Sequence, residues 1–318
     1  MSTTQVPPPT APTPMPENLR SVQPGGGKCY KVELAWGRLR RGYLKCFRPG
    51  YVARMAKLRK GSGRGAPHEI LDPRDLKYCQ NQCDCHWDPK DDPFLWRERL
   101  PFARWGLAEL QLMGWPLLAL TVFLAHTYWY MAPLAAIPLA LVVWFFRDPT
   151  RKIPTDPGVF VSPADGKISN ITRVDHEEFI GGPAVKIGIF LSIFNVHINR
   201  ASATGRVLEI RYHPGEFLNA LNPESETRNE NIWIGIQNEF KQRRFIIRPI
   251  AGAIARRIVC PLKSGDIIAR GEKIGMIKLG SRTELVVPDT DDLEINVKVG
   301  QKIRAGSSVL VKYRNDSV

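Results

Sequence analysis

Hydrophobic positions follow two different patterns along the chain: one long uninterrupted run and a later set of short runs. Residues 110–146 read LQLMGWPLLALTVFLAHTYWYMAPLAAIPLALVVWFF and contain no Asp, Glu, Lys or Arg. A membrane-spanning helix needs about 20 apolar residues, which Leu110–Tyr130 supplies. Ala132–Phe146 is shorter and contains Pro133 and Pro138. The pattern predicts a tight helical hairpin or one span followed by an interfacial piece, with a buried helix pair of a soluble protein as the alternative.

Basic residues flank this apolar run on both sides. They are Arg97, Arg99 and Arg104 before it, and Arg147, Arg151 and Lys152 after it. Because basic residues collect on the cytoplasmic side of a membrane, both flanks are expected there, which favours the hairpin. We therefore expect residues 107–146 to form a membrane-associated hydrophobic hairpin, and the protein to lie at the cytoplasmic side of the cell membrane.

After residue 147 the apolar runs become short and rich in β-branched residues, with Gly, Pro and Asn between them. The clearest runs are Val185–Phe190, Ile232–Ile236, Phe245–Ile250 and Leu285–Val287. Such runs are typical of strands. Residues 147–318 are therefore predicted to form a mainly β (α+β) domain, with a short helix around Pro214–Leu221.

The last part of this domain alternates turns and short strands. Its turns are predicted at Lys263–Asp266, Ala269–Glu272, Val299–Lys302 and Ala305–Ser307, each of which contains a glycine. Glycine-containing turns at close intervals between short strands are typical of small barrels and sandwiches. We expect a barrel-sandwich-like C-terminal part.

Composition and charge divide the region before the apolar run. Residues 1–27 are rich in Pro, Thr, Gly and Gln and are expected to be disordered. Residues 28–106 form a basic extension of unknown role that mixes basic and aromatic residues. It could be a basic amphipathic face that lies on lipid headgroups, or a solvated helix packed by its aromatic residues. The chain carries a net charge of +14, and residues 1–106 hold 19 basic and 10 acidic residues. A basic chain with an uncharged middle indicates an anionic membrane surface as partner rather than nucleic acid.

A cysteine cluster lies inside the basic extension. Cys79, Cys83, Cys85 and His86 are spaced C-x3-C-x-C-H. Thiolates and an imidazole suit zinc, but the spacing lacks the usual paired C-x2-C. Reduced cysteines that bind no metal are the favoured interpretation, and a zinc site is the alternative.

Four polar stretches interrupt the predicted strands. They are Phe146–Pro149 with Ser162–Gly166, Phe190–Arg200, Tyr212–Phe217 with Glu226–Asn231, and Ala251–Cys260 with Lys278–Arg282. Each alone has a plain explanation: Asp165-Gly166 and Gly280-Ser281 as turns, His197 as a core residue, and Arg256 with Arg257 as a surface face. The sequence contains no P-loop, nucleophile elbow or dinucleotide-binding fingerprint.

In order, however, the motifs resemble a known family. Phe145-Phe-Arg-Asp-Pro, Ser162-Pro-Ala-Asp-Gly, Phe190-Leu-Ser, Val196-His-Ile-Asn-Arg, Ala255-Arg-Arg-Ile-Val-Cys and Gly280-Ser-Arg are similar to motifs of the phosphatidylserine decarboxylases. The resemblance is to their short form, which is related to archaetidylserine decarboxylases. It covers about residues 110–314 and leaves out residues 1–106.

The resemblance implies a proenzyme that cleaves itself at Gly280-Ser281. The Ser281 hydroxyl would attack the Gly280 carbonyl to form an ester, and elimination would then leave a dehydroalanine that loses ammonia. The result is a pyruvoyl group on Ser281, which is the implied cofactor. Residues 1–280 would become the β chain and residues 281–318 the α chain, and the two chains would stay associated. The pyruvoyl ketone would form a Schiff base with the amine of a phospholipid substrate and accept electrons as carbon dioxide leaves.

The resemblance also implies roles for single residues. Asp165 matches an aspartate that assists self-cleavage, and His197 matches a histidine that transfers a proton during decarboxylation. Arg200 stands where long-form relatives have a second histidine, so the base for self-cleavage stays open. Asn195 stands where the family usually has Asp. Arg200, Arg256 and Arg257 are candidates for binding the lipid phosphate or carboxylate.

Two other interpretations of the sequence compete with this one. The first is a membrane-tethered carrier of the lipoyl or biotinyl type, which would display a lysine on a hairpin tip; Met276-Ile-Lys278 is a poor match to its pattern. The second is a structural membrane-surface protein, which leaves Asp165, His197 and Ser281 unexplained. Homo-oligomer formation stays open on every interpretation.

Overall fold

The computed structural model describes residues 11–219, 222, 224–253, 257–278 and 281–314. Within these ranges the chain divides into two compact units. One unit comprises residues 26–149, and the other joins residues 150–318 to residues up to Gly25. The first is helical, whereas the second is mostly β.

Unit 26–149 begins with two helices, α1 (Lys28–Phe47) and α2 (Pro49–Leu58). Short 3₁₀ turns follow at Pro73–Leu76, Leu95–Arg99 and Arg104–Gly106. Arg40 of α1 donates to Asp72 at 2.7 Å and also contacts Asp75, both of which are buried. This charged contact holds α1 against the turn at Pro73–Leu76.

The apolar run forms α3 (Leu107–Thr127) and α4 (Pro133–Phe145), joined by a 3₁₀ turn at Trp129–Met131. The two helices pack against each other. Among the described residues, Arg104–Thr127 is the one helical stretch that is long and apolar enough to cross a membrane, judged by length and composition alone. Only 11% of its most apolar window is buried, which argues against a helix pair buried in a soluble core.

The cysteine cluster packs as part of a small apolar core. Cys79, Cys83 and Cys85 are buried with Met55 and Trp87, and burial raises the pKa of the Cys79 thiol to about 12. The imidazole of His86 contacts the Asp84 carbonyl oxygen. Within the described ranges, no three His, Cys, Asp or Glu side chains are placed to hold a metal ion.

The β unit contains fourteen strands and one short helix among its described residues. They are β1 (Val159–Val161), β2 (Gly166–Glu177), β3 (Gly182–Leu191), β4 (Ile198–Arg200), β5 (Gly205–His213), α5 (Ser225–Arg228), β6 (Asn231–Asn238), β7 (Arg244–Ile250), β8 (Ile258–Val259), β9 (Ile267–Ile268), β10 (Lys273–Ile277), β11 (Ser281–Pro288), β12 (Leu293–Ile295), β13 (Lys302–Ile303) and β14 (Val309–Tyr313).

Three antiparallel sheets are built from these strands. The largest has the order β13-β2-β3-β11-β7-β6-β5-β9, and the smaller ones have the orders β1-β14-β12 and β4-β10-β8. Apolar side chains from all three sheets meet in one core, which includes Phe160, Ile187, Ile247, Ile277 and Leu285. The prediction of a mostly β domain preceded by helices is confirmed.

Local patterns predicted this domain well. The four apolar runs lie in β3, β6, β7 and β11. The predicted turns also form: Gly265 has a φ of 95° and Gly300 a φ of 89°, values that residues with a Cβ adopt at a cost.

The helix expected around Pro214–Leu221 does not form in the described part of that range. Residues 214–219 are irregular, and the helix α5 begins instead at Ser225. The reason is a pairing between distant residues: the Glu216 N–H donates to the Arg228 carbonyl oxygen and the Glu230 N–H to the Glu216 carbonyl oxygen. These bonds occupy backbone groups that a helix would use.

The expectation that residues 1–27 are disordered is wrong for residues 11–25; residues 1–10 lie outside the described ranges. Leu19 and Val22 are 1% and 0% exposed. The Thr13 N–H donates to the Leu208 carbonyl oxygen, and the Cys260 N–H donates to the Val22 carbonyl oxygen, both at 2.8 Å. Composition alone hid this, because two well-placed apolar side chains and an extended backbone suffice to dock a short segment on a sheet.

Candidate active site

The hydroxyl of Ser281 is, with those of Ser202 and Ser225, one of three fully buried serine hydroxyls without a hydrogen-bond partner among the described residues of the β unit. Ser281 opens β11, pairs with Leu191 of β3 and is 0% exposed. Its Oγ has no hydrogen-bond partner among the described residues. A buried polar group without a partner costs about 1–3 kcal/mol. Ser281 differs from the other two serines in following Gly280 at the predicted cleavage site, where an unpaired hydroxyl is suited to act as a nucleophile. Gly280, the other half of the predicted cleavage site, lies outside the described residues.

The loop Ser192–His197 lies beside Ser281 and is tied at both ends to the segment that contains it. At one end Leu191 pairs with Ser281. At the other end the His197 carbonyl oxygen accepts from the Ile277 N–H at 3.0 Å. The two ends of the loop are thus paired with Ser281 and Ile277, which lie four positions apart in the chain.

The imidazole of His197 has a defined orientation. His197 is 0% exposed, and its Nδ1 lies 2.9 Å from the Asn195 carbonyl oxygen. A carbonyl oxygen can only accept a hydrogen bond, so this contact requires a proton on Nδ1. In the neutral ring Nε2 is then the nitrogen that can take up a proton.

The carboxylate of Asp165 is buried but does not contact Ser281 or His197. The Arg151 guanidinium donates to its two oxygens at 2.9 and 2.7 Å, and the Ala305 N–H donates to Oδ1 at 2.7 Å. The connection to the loop is indirect: the Arg200 N–H donates to the Pro163 carbonyl oxygen, two residues before Asp165. Arg151 is thus an ion-pair partner, although its sequence position marks it as part of a basic flank.

A comparison with protein-family models gives a match over residues 139–311, more than half of the chain, to the family described as phosphatidylserine decarboxylase. The chain belongs to the phosphatidylserine decarboxylase family. It is therefore a decarboxylase, and the resemblance predicted from the ordered motifs is confirmed.

Individual relatives in the phosphatidylserine decarboxylase family match between 54% and 75% of the chain. A phosphatidylserine decarboxylase proenzyme of Rhodopirellula baltica is 52% identical over 240 residues, 75% of this chain and 99% of the relative. Proenzymes of the same name from Desulfotalea psychrophila and Carboxydothermus hydrogenoformans are 45% and 42% identical. These matches span 54% and 69% of this chain, and 78% and 99% of the relatives.

The three arginines proposed for substrate binding in this family member have different surroundings. The Arg200 guanidinium is buried and donates to the Gly271 carbonyl oxygen at 2.9 Å. Arg257 is half-buried beside Glu230; burial raises the pKa of that carboxyl to about 7, and the positive charge of Arg257 opposes the rise. Arg256 lies outside the described residues. Their roles in substrate binding stay predictions.

The phosphatidylserine decarboxylase motifs did not reveal two further polar contacts near Ser281. Asn199 donates through Nδ2 to Thr283 Oγ1 at 3.0 Å, and both side chains are buried. Lys278 is also buried, and its Nζ donates to Gln23 Oε1 at 3.0 Å. The sequence offered a reason to examine Asn199, since it follows His197 by two residues in the same motif. It offered no reason to expect the Lys278 contact, because Gln23 lies in the segment expected to be disordered.

Proposed function

We propose that this enzyme converts phosphatidylserine to phosphatidylethanolamine through a pyruvoyl group, which it forms by cleaving itself between Gly280 and Ser281. The observation that carries the proposal is the fully buried Ser281 hydroxyl, which lacks a partner among the described residues and lies beside the loop that ends at His197. The relatives' name, proenzyme, supports a processed precursor.

The residues around Ser281 fit such a group. Its hydroxyl lies on a strand that is hydrogen-bonded on both sides, so its position is well defined before any bond breaks. Addition of Oγ to the Gly280 carbonyl carbon transfers the acyl group from nitrogen to oxygen. Loss of the Ser281 α-proton then expels the Gly280 carboxylate, and water releases ammonia to leave the ketone. That ketone supplies an electrophile for the substrate amine and an electron sink when carbon dioxide departs.

His197 is proposed to move a proton during decarboxylation. Its Nδ1 contact with the Asn195 carbonyl oxygen leaves Nε2 as the nitrogen that can exchange a proton with the substrate. Because His197 is fully buried, the exchange would take place away from bulk water.

The sheet order supports an α chain, residues 281–318, that stays bound to the β chain, residues 1–280. β11 lies between β3 and β7 in the largest sheet, while β13 pairs with β2 and β14 pairs with β1. Every described strand of the proposed α chain thus pairs with a strand of the proposed β chain or with β14. Backbone pairing and the shared core would hold the chains together after cleavage. We also propose that these C-terminal strands form a barrel-sandwich-like arrangement.

The proposed partner surface is an anionic membrane. Five large apolar side chains lie exposed along α1: Val32, Trp36, Leu39, Tyr43 and Phe47, at 52–74% exposure. They recur every three or four residues and so form one stripe. Exposed basic side chains accompany them, namely Lys28, Lys31, Arg38 and Arg48. A basic helix with an apolar stripe is suited to lie in an anionic interface. We propose α3 and α4 as a membrane hairpin in the same unit, at the cytoplasmic side of the cell membrane.

The carrier alternative gains no support from the structure. A carrier lysine has to reach other proteins, whereas Lys278 is 8% exposed and bonded to Gln23. The burial of Lys278 therefore favours the decarboxylase over the carrier.

The purified full chain, incubated with vesicles that contain phosphatidylserine and phosphatidylglycerol, tests the proposal directly. We expect denaturing electrophoresis and intact mass to show two chains, with the smaller one comprising residues 281–318, 38 residues. We also expect equal release of carbon dioxide and phosphatidylethanolamine, and flotation of the protein with the vesicles. A single full-length chain that still releases carbon dioxide would overturn the pyruvoyl mechanism.

Asp165 is proposed to assist self-cleavage, and its substitution should separate this role from folding. In Asp165→Asn we expect self-cleavage to slow by at least about 10²-fold, the scale of a lost acid–base group. Loss of the buried ion pair should also lower the free energy of unfolding by about 3–5 kcal/mol. The two-chain fraction over time and chemical denaturation measure these effects.

Arg151→Met is the matched control, because it breaks the same ion pair but keeps the carboxylate. We expect it to lose similar stability while its self-cleavage slows by less than about tenfold. If both variants slowed equally, the pair would have a structural role only.

A further inference from the structure

Two large apolar side chains are exposed at the tip of the loop that joins β3 to β4. Ile193 is 41% exposed and Phe194 is 58% exposed. Single exposed apolar residues are ordinary on protein surfaces. Here, however, two are adjacent in a loop whose ends pair with Ser281 and Ile277. The loop therefore joins an apolar tip to the proposed catalytic groups.

Asn195 holds the tip in a tight turn. Its Oδ1 accepts from the Ser192 N–H at 2.9 Å and from Ser192 Oγ at 2.7 Å. Its own N–H donates to the Ser192 carbonyl oxygen at 2.9 Å. These three bonds enclose Ile193 and Phe194 and direct the chain so that both are presented at the surface.

The same residue orients the catalytic histidine. The Asn195 carbonyl oxygen contacts His197 Nδ1 at 2.9 Å. A molecule that touches Phe194 is therefore three residues from His197, which is at most about 10 Å away, the length of the fully extended chain. That distance is suited to a substrate whose apolar part is held at the tip while its polar part reaches His197 and Ser281.

The tip is also free of charge. Residues 187–196 contain no Asp, Glu, Lys, Arg or His. A carboxylate at position 195 could accept the same hydrogen bonds, but it would carry a negative charge that is costly to move into lipid. The amide of Asn195 makes the turn without that charge.

We propose that Ile193 and Phe194 insert among the acyl chains of the bilayer that holds the substrate, and so position its headgroup at Ser281 and His197. The inference rests on the proposed function and deepens it, because it names the acyl region of a lipid bilayer as the partner of this loop. Burying two such side chains in lipid is favourable, because it removes their apolar surface from water.

The first test compares two forms of the substrate with the double variant Ile193→Ser/Phe194→Ser. With long-chain phosphatidylserine in vesicles, we expect kcat/KM to fall by about tenfold or more. A tenfold fall corresponds to a loss of about 1.4 kcal/mol of favourable interaction with the substrate in its bilayer. With a short-chain phosphatidylserine below its micelle concentration, no bilayer is present, and kcat/KM should change by less than about twofold. Self-cleavage should be unchanged.

Ile267→Ser is the matched control, because Ile267 is 65% exposed on the edge strand β9 of the same sheet. It should leave both activities unchanged. Equal losses of the double variant on both substrates would overturn the inference, as would an unchanged rate on vesicles.

The second test does not depend on turnover. The full chain with Ser281→Ala is mixed with phosphatidylcholine and phosphatidylglycerol vesicles whose acyl chains carry a photoactivatable diazirine. After irradiation, mass spectrometry should find labelled peptides that contain residues 192–197, and the double variant should lose that label. Labels confined to residues 107–145 would overturn the inference.

The two tests also separate failure of the inference from failure of the proposed function. If the wild-type chain converted neither form of phosphatidylserine, the proposed function would be wrong. The labelling result would still decide whether the tip enters lipid.

Discussion

Ser281→Ala should give a single uncleaved chain of 318 residues without decarboxylase activity. The substitution removes the hydroxyl that would attack Gly280 and the atoms from which the ketone would form. We therefore expect activity to fall by at least about 10⁴-fold, to the background rate. Intact mass and release of carbon dioxide from labelled phosphatidylserine measure both effects.

The same variant should keep its fold, which makes its inactivity informative. Ser281 Oγ has no hydrogen-bond partner among the described residues, so its removal breaks no contact there. Relief of an unpaired buried hydroxyl should leave the free energy of unfolding unchanged or raise it by about 1 kcal/mol. Ser307→Ala, in the same C-terminal stretch, is the control and should be cleaved and active. A cleaved Ser281→Ala chain would contradict the assignment of the nucleophile.

His197→Asn should be cleaved normally but decarboxylate slowly. The Asn amide can still donate to the Asn195 carbonyl oxygen in place of Nδ1, yet it has no group that takes up a proton. We expect kcat to fall by about 10²–10⁴-fold, the usual contribution of a proton-transfer group. Single-turnover release of carbon dioxide by the fully cleaved variant measures this step.

Two further measurements keep the interpretation of this variant clear. Circular dichroism and chemical denaturation should show a folded protein, because the backbone bond from Ile277 to His197 does not involve the side chain. The pH profile of kcat should lose one titration relative to the wild type. A variant with an unchanged pH profile and a small loss of kcat would show that His197 only positions its neighbours.

Patterns among residues that are close in sequence predicted much of the fold. Strands β3, β6, β7 and β11 lie at the predicted apolar runs, and glycine turns separate the late strands. These features depend on residues close in sequence, whose alternation and backbone freedom are visible without a structure. The apolar stretch of α3 and α4 belongs to the same class, since its length and lack of charge suffice to identify it.

These local patterns did not predict contacts between residues that are far apart in sequence. Gln23 meets Lys278 across 255 positions, and Thr13 meets Leu208 across 195 positions. Both contacts belong to residues 11–25, whose composition predicted disorder. The partner of Asp165 was missed for a related reason: Arg151 was interpreted by its place beside the apolar run, and a flanking position does not show which carboxylate an arginine meets.

Three features could be identified from the order of residues alone: a set of motifs that identifies a decarboxylase family, an apolar segment long enough to cross a membrane, and Ser281 after Gly280. How these parts are arranged became visible in the folded chain. The Ser281 hydroxyl is buried without a partner among the described residues, the loop that ends at His197 is paired with Ser281 at one end and with Ile277 at the other, and Ile193 and Phe194 are exposed at the tip of that loop. The sequence does not show this arrangement because a residue type limits only which bonds its side chain is able to make. Which of those bonds form depends on neighbours that the folded chain brings from far away.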